Sequence, residues 1–341
     1  MHLVWVPATQ LRLLRVATIV RLLHNDEGCA ATAHLSRILQ RFWLQVMTPE
    51  ISEFSYGFAL TNEIVGWAPV RAAPLFPSLI EEGKAGGGYD VKLEMPGVPL
   101  YLQFKRADCM MRRSAREISK HKLTLSLPFY RFKITESGKS DQHELLLALD
   151  DGSALVFYAA PRFHELAEID DAWKNNLVAT RSIFVAPSRI GTLDADSHHV
   201  AYDEQLAWLC SDPQPIRFLN SGNLVEELRS RVEADSRPLR EKIPELVQQI
   251  HSAERRAAAR IAERRVAQFR EAIERGEELE LPFEARREAV FEELAREVPR
   301  RPAIPTRPSR ILSEPERQLR EVSDAAARVF DAQLIIVQLP G

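Results

Sequence analysis

The stretch Gly88-Tyr89-Asp90-Val91-Lys92-Leu93-Glu94-Met95-Pro96-Gly97-Val98-Pro99-Leu100-Tyr101-Leu102-Gln103-Phe104-Lys105 decides how this chain is read. Two alternating runs, Tyr89 to Glu94 and Leu100 to Lys105, flank Met95-Pro96-Gly97-Val98-Pro99. A Pro/Gly segment between alternating runs predicts a β-hairpin. Side chains alternate across a strand, so Gln103 and Lys105 share one face and Phe104 takes the other. The hairpin register then brings Asp90 near the pair. An acid, an amide oxygen and an ammonium converge there, which suits a divalent cation and an attacking water. An ordinary half-exposed strand opened by an aspartate would show the same alternation.

Upstream, Glu50 to Trp67 spaces Phe54, Phe58, Ile64 and Val65 as on an amphipathic helix, with Thr48 as N-cap and Pro49 at the first helical position. A Pro- and Gly-rich loop leads from it into the hairpin. Downstream, Met110 to Lys122 reads as a basic helix, Phe129 to Thr135 as a strand and Asp141 to Leu149 as a short helix. Asp150-Asp151-Gly152 makes a turn before the apolar strand Ala154 to Ala159. A helix over Pro161 to Lys174, a strand over Ser182 to Ala186 and an extended piece at His199 to Tyr202 follow. The order predicts a mixed α/β domain over residues 47–210.

The flanks differ in character. Residues 1–46 scatter Arg12, Arg15, Arg21, Arg37 and Arg41 among apolar residues and lack the cleavage site of a secretory signal. Two readings stand, an organelle-targeting leader and a dispensable or disordered extension before a start at Met47. Residues 220–341 predict an extended helical region, broken by the Pro-rich stretch 299–308, with a last helix near Glu314 to Phe330. Its narrow seam of Ile243, Leu246, Ile250, Ala257 and Ile261 suits helix pairing or a coiled-coil arm better than a globular core.

The net charge of -3 over 341 residues gives no global bias toward polyanions, so any electrostatic footprint must be local. The three cysteines, Cys29, Cys109 and Cys210, are far apart and lack CxxC spacing, which argues against a disulfide framework and for a reducing, cytoplasmic setting. No uncharged apolar run approaches the length of about 18 residues that a membrane-spanning helix needs.

Asp90 followed by Gln103-Phe104-Lys105, with an acidic helix before them, resembles the PD-(D/E)xK nuclease superfamily, and within it the Mrr-like branch in which glutamine replaces the central acid. Gly57-Phe58-Ala59-Leu60, Leu102 to Lys105 and Gln142 to Leu146 also resemble an uncharacterised bacterial protein family. The nuclease resemblance implies a restriction-endonuclease-like mixed sheet flanked by helices. It implies a metal-dependent nuclease using Mg²⁺ or Mn²⁺, with defence against foreign DNA as its bacterial setting. Asp90 would anchor the metal, Gln103 would take the second ligand position, and Lys105 would orient or deprotonate the water. Glu63, with Glu53 second, would supply the helical acid. The proline that usually precedes the aspartate is replaced by Tyr89. The alternative is a catalytically inactive nuclease-fold scaffold that dimerises or binds a partner through its C-terminal helices.

Lys105, Arg106, Arg112, Arg113, Arg116, Lys120 and Lys122 form the densest basic cluster of the compact domain; Arg106, Arg112, Arg113, Arg116 and Lys120 read as a nucleic-acid-binding face, or as a solvated charged helix. Arg255, Arg256, Arg260, Arg264 and Arg265 are offset by Glu254, Glu263, Glu271 and Glu274, which predicts intrahelical pairing. His164 and His198-His199 lack a third ligand at useful spacing.

Overall fold

Val98–Phe104 is a strand, but it is not half of a hairpin. A computed structural model describes residues 48–67, 70–75, 91–137, 139–194, 196–274 and 313–340. Their elements run α1 (Glu53–Val65), β1 (Arg71–Leu75), β2 (Val98–Phe104), β3 (Asp108–Met110), α2 (Arg116–Ser119), β4 (Phe129–Ile134), α3 (Gln142–Leu149), β5 (Leu155–Pro161) and α4 (Leu166–Lys174). They continue as β6 (Ser182–Val185), α5 (Pro187–Ile190), β7 (His198–Tyr202), β8 (Ala207–Leu209), β9 (Gln214–Pro215), α6 (Ser221–Ala234), α7 (Leu239–Glu274), α8 (Glu314–Arg328) and β10 (Gln333–Gln338). A mixed sheet has the order β1-β10-β2-β5-β6, and an antiparallel sheet the order β3-β4-β7-β8-β9.

Both edges of β2 are occupied, by β10 antiparallel and by β5 parallel. No edge is left for a partner strand over Tyr89 to Glu94. Its described part, from Val91 to Glu94, enters a turn, and Val98 and Pro99, expected in the hairpin turn, open the strand instead. Asp90 and Tyr89 lie outside the described residues.

The mixed sheet is buried on both faces. Tyr101, Val156, Tyr158, Leu334 and Ile336 face a core shared with the antiparallel sheet and with α3, α7 and α8. Leu100, Leu102, Phe157, Ile335 and Val337 face α1, α4 and α6. Two-sided burial explains why β5 and β10 read as continuous apolar runs rather than alternating ones.

The C-terminal region is not an appended arm. Every described residue belongs to one unit, Thr48–Gly341, and β10 stands between β1 and β2 in the middle of the sheet. The seam residues Ile243, Leu246, Ile250 and Ala257 are buried in the main core, with Ile261 packed against it. Residues 1–46 and the Pro-rich stretch 299–308 lie outside the described residues.

Helix α1 starts later than expected. Ser52, not Thr48, is its N-cap, and the Ser52 hydroxyl accepts from the Ser55 N–H at 2.9 Å. Its buried face carries Tyr56, Ala59, Leu60 and Ile64, whereas Phe54 and Phe58 are 82% and 61% exposed. The apolar periodicity was legible, but the aromatic pair sits on the outer face. The basic segment Met110 to Lys122 is helical only over Arg116–Ser119. No helix among the described residues is long and apolar enough to cross a membrane.

Candidate active site

The site grows from the end of β2. The Lys105 N–H donates to the Ala159 carbonyl at 2.9 Å, which carries the β2–β5 ladder one residue beyond Phe104. The pleat turns Phe104 toward α1, where its ring meets Tyr56 edge-on at 6.0 Å between centroids. It also lies over Gly57, where a Cβ would come within 2.5 Å of the ring. A side chain at Gly57 would push α1 off the sheet, so this glycine permits the close approach. That approach puts Glu53, at the start of α1, beside the strand end, where its Oε1 accepts from the Arg106 N–H at 3.4 Å.

Gln103 and Lys105 point the other way and are 4% and 6% exposed. Lys105 Nζ donates to Gln142 Oε1 at 2.9 Å, at the start of α3. Gln142 Nε2 in turn donates to Asp331 Oδ2 at 2.5 Å, and Gln103 Nε2 reaches the same oxygen at 3.5 Å. Asp331 sits in the turn between α8 and β10 with φ of 48°, a left-handed conformation that aspartate tolerates better than most residues. The Lys105 ammonium also lies 5.4 Å from the centroid of the Tyr158 ring. Burial pulls the Lys105 pKa down, and the nearby carboxylates of Glu53 and Asp331 oppose that pull. Gln103 Oε1 is buried without a hydrogen-bond partner. A buried amide oxygen left unpaired is costly, so this oxygen can still accept one more partner.

A second polar chain supports Tyr158 from behind. His143 Nε2 lies 2.8 Å from the Gly191 carbonyl, which only accepts, so Nε2 carries the proton. Nδ1 then accepts from the Tyr158 hydroxyl at 2.9 Å. Burial drops the His143 pKa to about 4, with the charges of His198, Lys105 and Arg260 adding to it and the Gly191 hydrogen bond opposing it.

A pH dependence follows from that depression. The unfolded-state pKa of about 6.5 lies above the folded value, so the stability His143 contributes is complete above about pH 6.5. It is lost as pH falls toward its folded pKa of about 4, by about 3 kcal/mol in all. Denaturant melts at pH 7.5 and at pH 4.5 are expected to show a smaller drop in His143→Gln than in wild type. An equal drop in both would assign the acid sensitivity to other groups.

The other residues expected at the site divide. Glu63 is elsewhere: its Oε2 and Oε1 accept from the Val178 and Ala179 N–H groups at 2.7 and 3.2 Å. It lies ten residues along α1 from Glu53, about 15 Å at the helical rise. Glu53, the second choice, is the helical acid beside Lys105. Arg106, Arg113, Arg116 and Lys120 are exposed and Arg112 half-buried, on a loop and one short turn of helix rather than on one long helical face.

Within α7, Arg255 bonds to the Ser252 hydroxyl at 3.2 Å, while four other arginines reach beyond the helix. Arg256 reaches Asp151 at 2.8 Å, Arg260 lies 3.8 Å from Glu144, and Arg264 and Arg265 both hold Asp141. Their four-residue step places Arg256, Arg260 and Arg264 on one face, and that face clamps α3, which carries Gln142. His198 is engaged by Ser211 at 2.7 Å and Asp194 at 2.9 Å. Cys109 and Cys210 are free and buried.

Gln142 and Asp331 were not expected at the site. Gln142 was visible only within the short helix Asp141 to Leu149 and in the stretch Gln142 to Leu146 that resembles an uncharacterised family. Asp331 was hidden because the run Leu334 to Val337 was not read as a strand.

Among the described residues no group of three or more His, Cys, Asp or Glu side chains is placed to hold a metal ion. The unpartnered Gln103 oxygen and the nearby Asp331 carboxylate are hard donors that suit Mg²⁺ or Mn²⁺. No family model, curated protein or solved structure matches this chain.

Proposed function

We propose that the end of β2 is a metal-dependent site for hydrolysis of nucleic-acid phosphodiesters, on a restriction-endonuclease-like α/β scaffold. The observation that supports it is a buried ammonium, Lys105, on the same strand face as a buried, unpartnered amide oxygen, Gln103 Oε1. Gln103, with Asp90 as the anchoring carboxylate, would hold the ion. Mg²⁺ or Mn²⁺ bound there would supply Lewis acidity to the phosphate and a water of lowered pKa.

The chain's own groups do the rest. Gln142 and the Tyr158 ring hold Nζ of Lys105 in one place, so its charge is aimed at a phosphate oxygen without reorganisation. The same ammonium would orient the attacking water beside that phosphate rather than take its proton. Arg106, Arg113, Arg116 and Lys120 supply exposed cations for the flanking phosphates.

The test is incubation of the purified protein with plasmid, single-stranded DNA and RNA in Mg²⁺ or Mn²⁺. Wild type is expected to degrade at least one substrate, with Asp90→Ala and Lys105→Ala slower by about 100-fold or more. The neutral amide at Gln103 favours a second reading, a nuclease-fold scaffold without activity. Equal, background degradation by wild type and both variants would select that reading and sink the first.

A further inference from the structure

We infer that Asp331 is a cation ligand of this site and restores the carboxylate that glutamine at position 103 removes. The inference rests on the proposed reading of the β2 end as a metal site. In the resemblance that suggests the site, an acid commonly stands where this chain has Gln103, so the strand itself is one formal charge short. The structure brings a carboxylate to the same place from the other end of the unit. Antiparallel pairing of β10 with β2 puts Gln333 opposite Leu102, so the turn before β10 ends beside the residues that follow Leu102.

Three observations converge on Asp331. Its Oδ2 gathers the amide N–H groups of both Gln103 and Gln142. The Gln103 side chain is 4% exposed and directed at that carboxylate, while its own Oε1 has no partner. The Asp331 backbone is left-handed, and such conformations at non-glycine residues concentrate where a site needs them. An amide oxygen and a carboxylate, one amide group apart and next to a buried ammonium, form an oxygen-donor set for a hard divalent cation. The carboxylate on the opposite side, Glu53, already accepts from the Arg106 N–H. Among the described residues, Asp331 is the acid whose carboxylate the Gln103 side chain reaches. Delivery by β10 also ties the site to the closure of the sheet: the ligand set is complete only when the last strand is in place.

The experiment is calorimetric titration of MnCl₂ into the full chain, with Mn²⁺ electron paramagnetic resonance as a second readout, for wild type, Asp331→Asn and Asp331→Gly. Asparagine and glycine both tolerate the left-handed backbone, and glycine also removes any donor oxygen. Wild type is expected to bind Mn²⁺. Both variants are expected to bind about tenfold or more weakly, in line with the dependence of affinity on ligand charge, while keeping a cooperative metal-free melting transition. Wild-type Mn²⁺ affinity in both variants, or no binding by wild type, overturns the inference. Weakened binding in the variants of a wild type that degrades no nucleic acid supports it while removing the nuclease reading. Unchanged binding in variants of an active wild type does the reverse.

Discussion

A chain ending at Ala332 is expected to lose cooperative folding altogether. Among the described residues, strand β10 is the only partner of β1 and one of two partners of β2, so its removal takes away that pairing of β1 and opens an edge on β2. Leu334, Ile335, Ile336 and Val337 are all buried, two on each face of the sheet. Truncating one such side chain to alanine costs about 2–5 kcal/mol. Losing four, together with the backbone ladders on both sides, exceeds the roughly 5–15 kcal/mol by which a domain is stable. Circular dichroism and calorimetry of the truncated chain are expected to show no cooperative transition, and Ile335→Ala alone should cost about 3 kcal/mol. A truncated chain that melts like wild type would make residues 333–340 peripheral, the role a helical C-terminal arm would have given them.

That expected result also shows where the sequence was legible. Most core elements could be read from local patterns. Phe129–Ile134, Gln142–Leu149 and Leu155–Pro161 sit close to where periodicity and turn residues put them. The alternation at Gln103, Phe104 and Lys105 correctly separates their faces, because pleating is a local property. Sheet topology is not local. A Pro/Gly segment before β2 implies a hairpin only if the neighbouring strand is the preceding one, and here a strand more than 200 residues later takes that edge. The narrow seam of α7 was visible, but not its partner: the small residues Ala253 and Ala257 let the helix pack closely on α3 and α8 as well as they would suit a coiled coil. The site shared this fate. Gln103 and Lys105 lie two residues apart at the end of β2, so their shared face could be read from local alternation. Gln142 and Asp331 meet them only through tertiary folding, and no spacing rule links residues 103 and 331.

Lys105→Met is expected to stabilise the protein while abolishing nucleic-acid hydrolysis. Lys105 is 6% exposed, and the hydrogen-bonded partner of its ammonium among the described residues is the neutral oxygen of Gln142. Desolvation of the ammonium is the largest influence on its pKa, and it exceeds the help from Glu53 and Asp331, since the pKa is lowered on balance. A buried cation so placed costs folding free energy, and methionine of similar length keeps the packing against Tyr158 without the charge. Replacement of buried ionic groups by apolar ones of like volume commonly gains about 1–4 kcal/mol, and here about 1–2 kcal/mol is expected because two carboxylates lie near. The sign can be checked against pH. A lysine whose folded pKa is depressed binds its proton more weakly in the folded state, so wild-type stability rises as pH climbs from that lowered pKa toward the unfolded value of about 10.4. The advantage of Lys105→Met is therefore full at neutral pH and shrinks toward pH 10. Denaturant midpoints for both proteins at pH 7 and pH 9.5, beside plasmid degradation in Mg²⁺, measure the two halves. A variant that is less stable than wild type at pH 7 would mean that Gln142, Glu53 and Asp331 fully compensate the charge, and Lys105 would then be a structural lysine. A more stable, inactive variant would show a group kept at a cost to folding because the chemistry requires it.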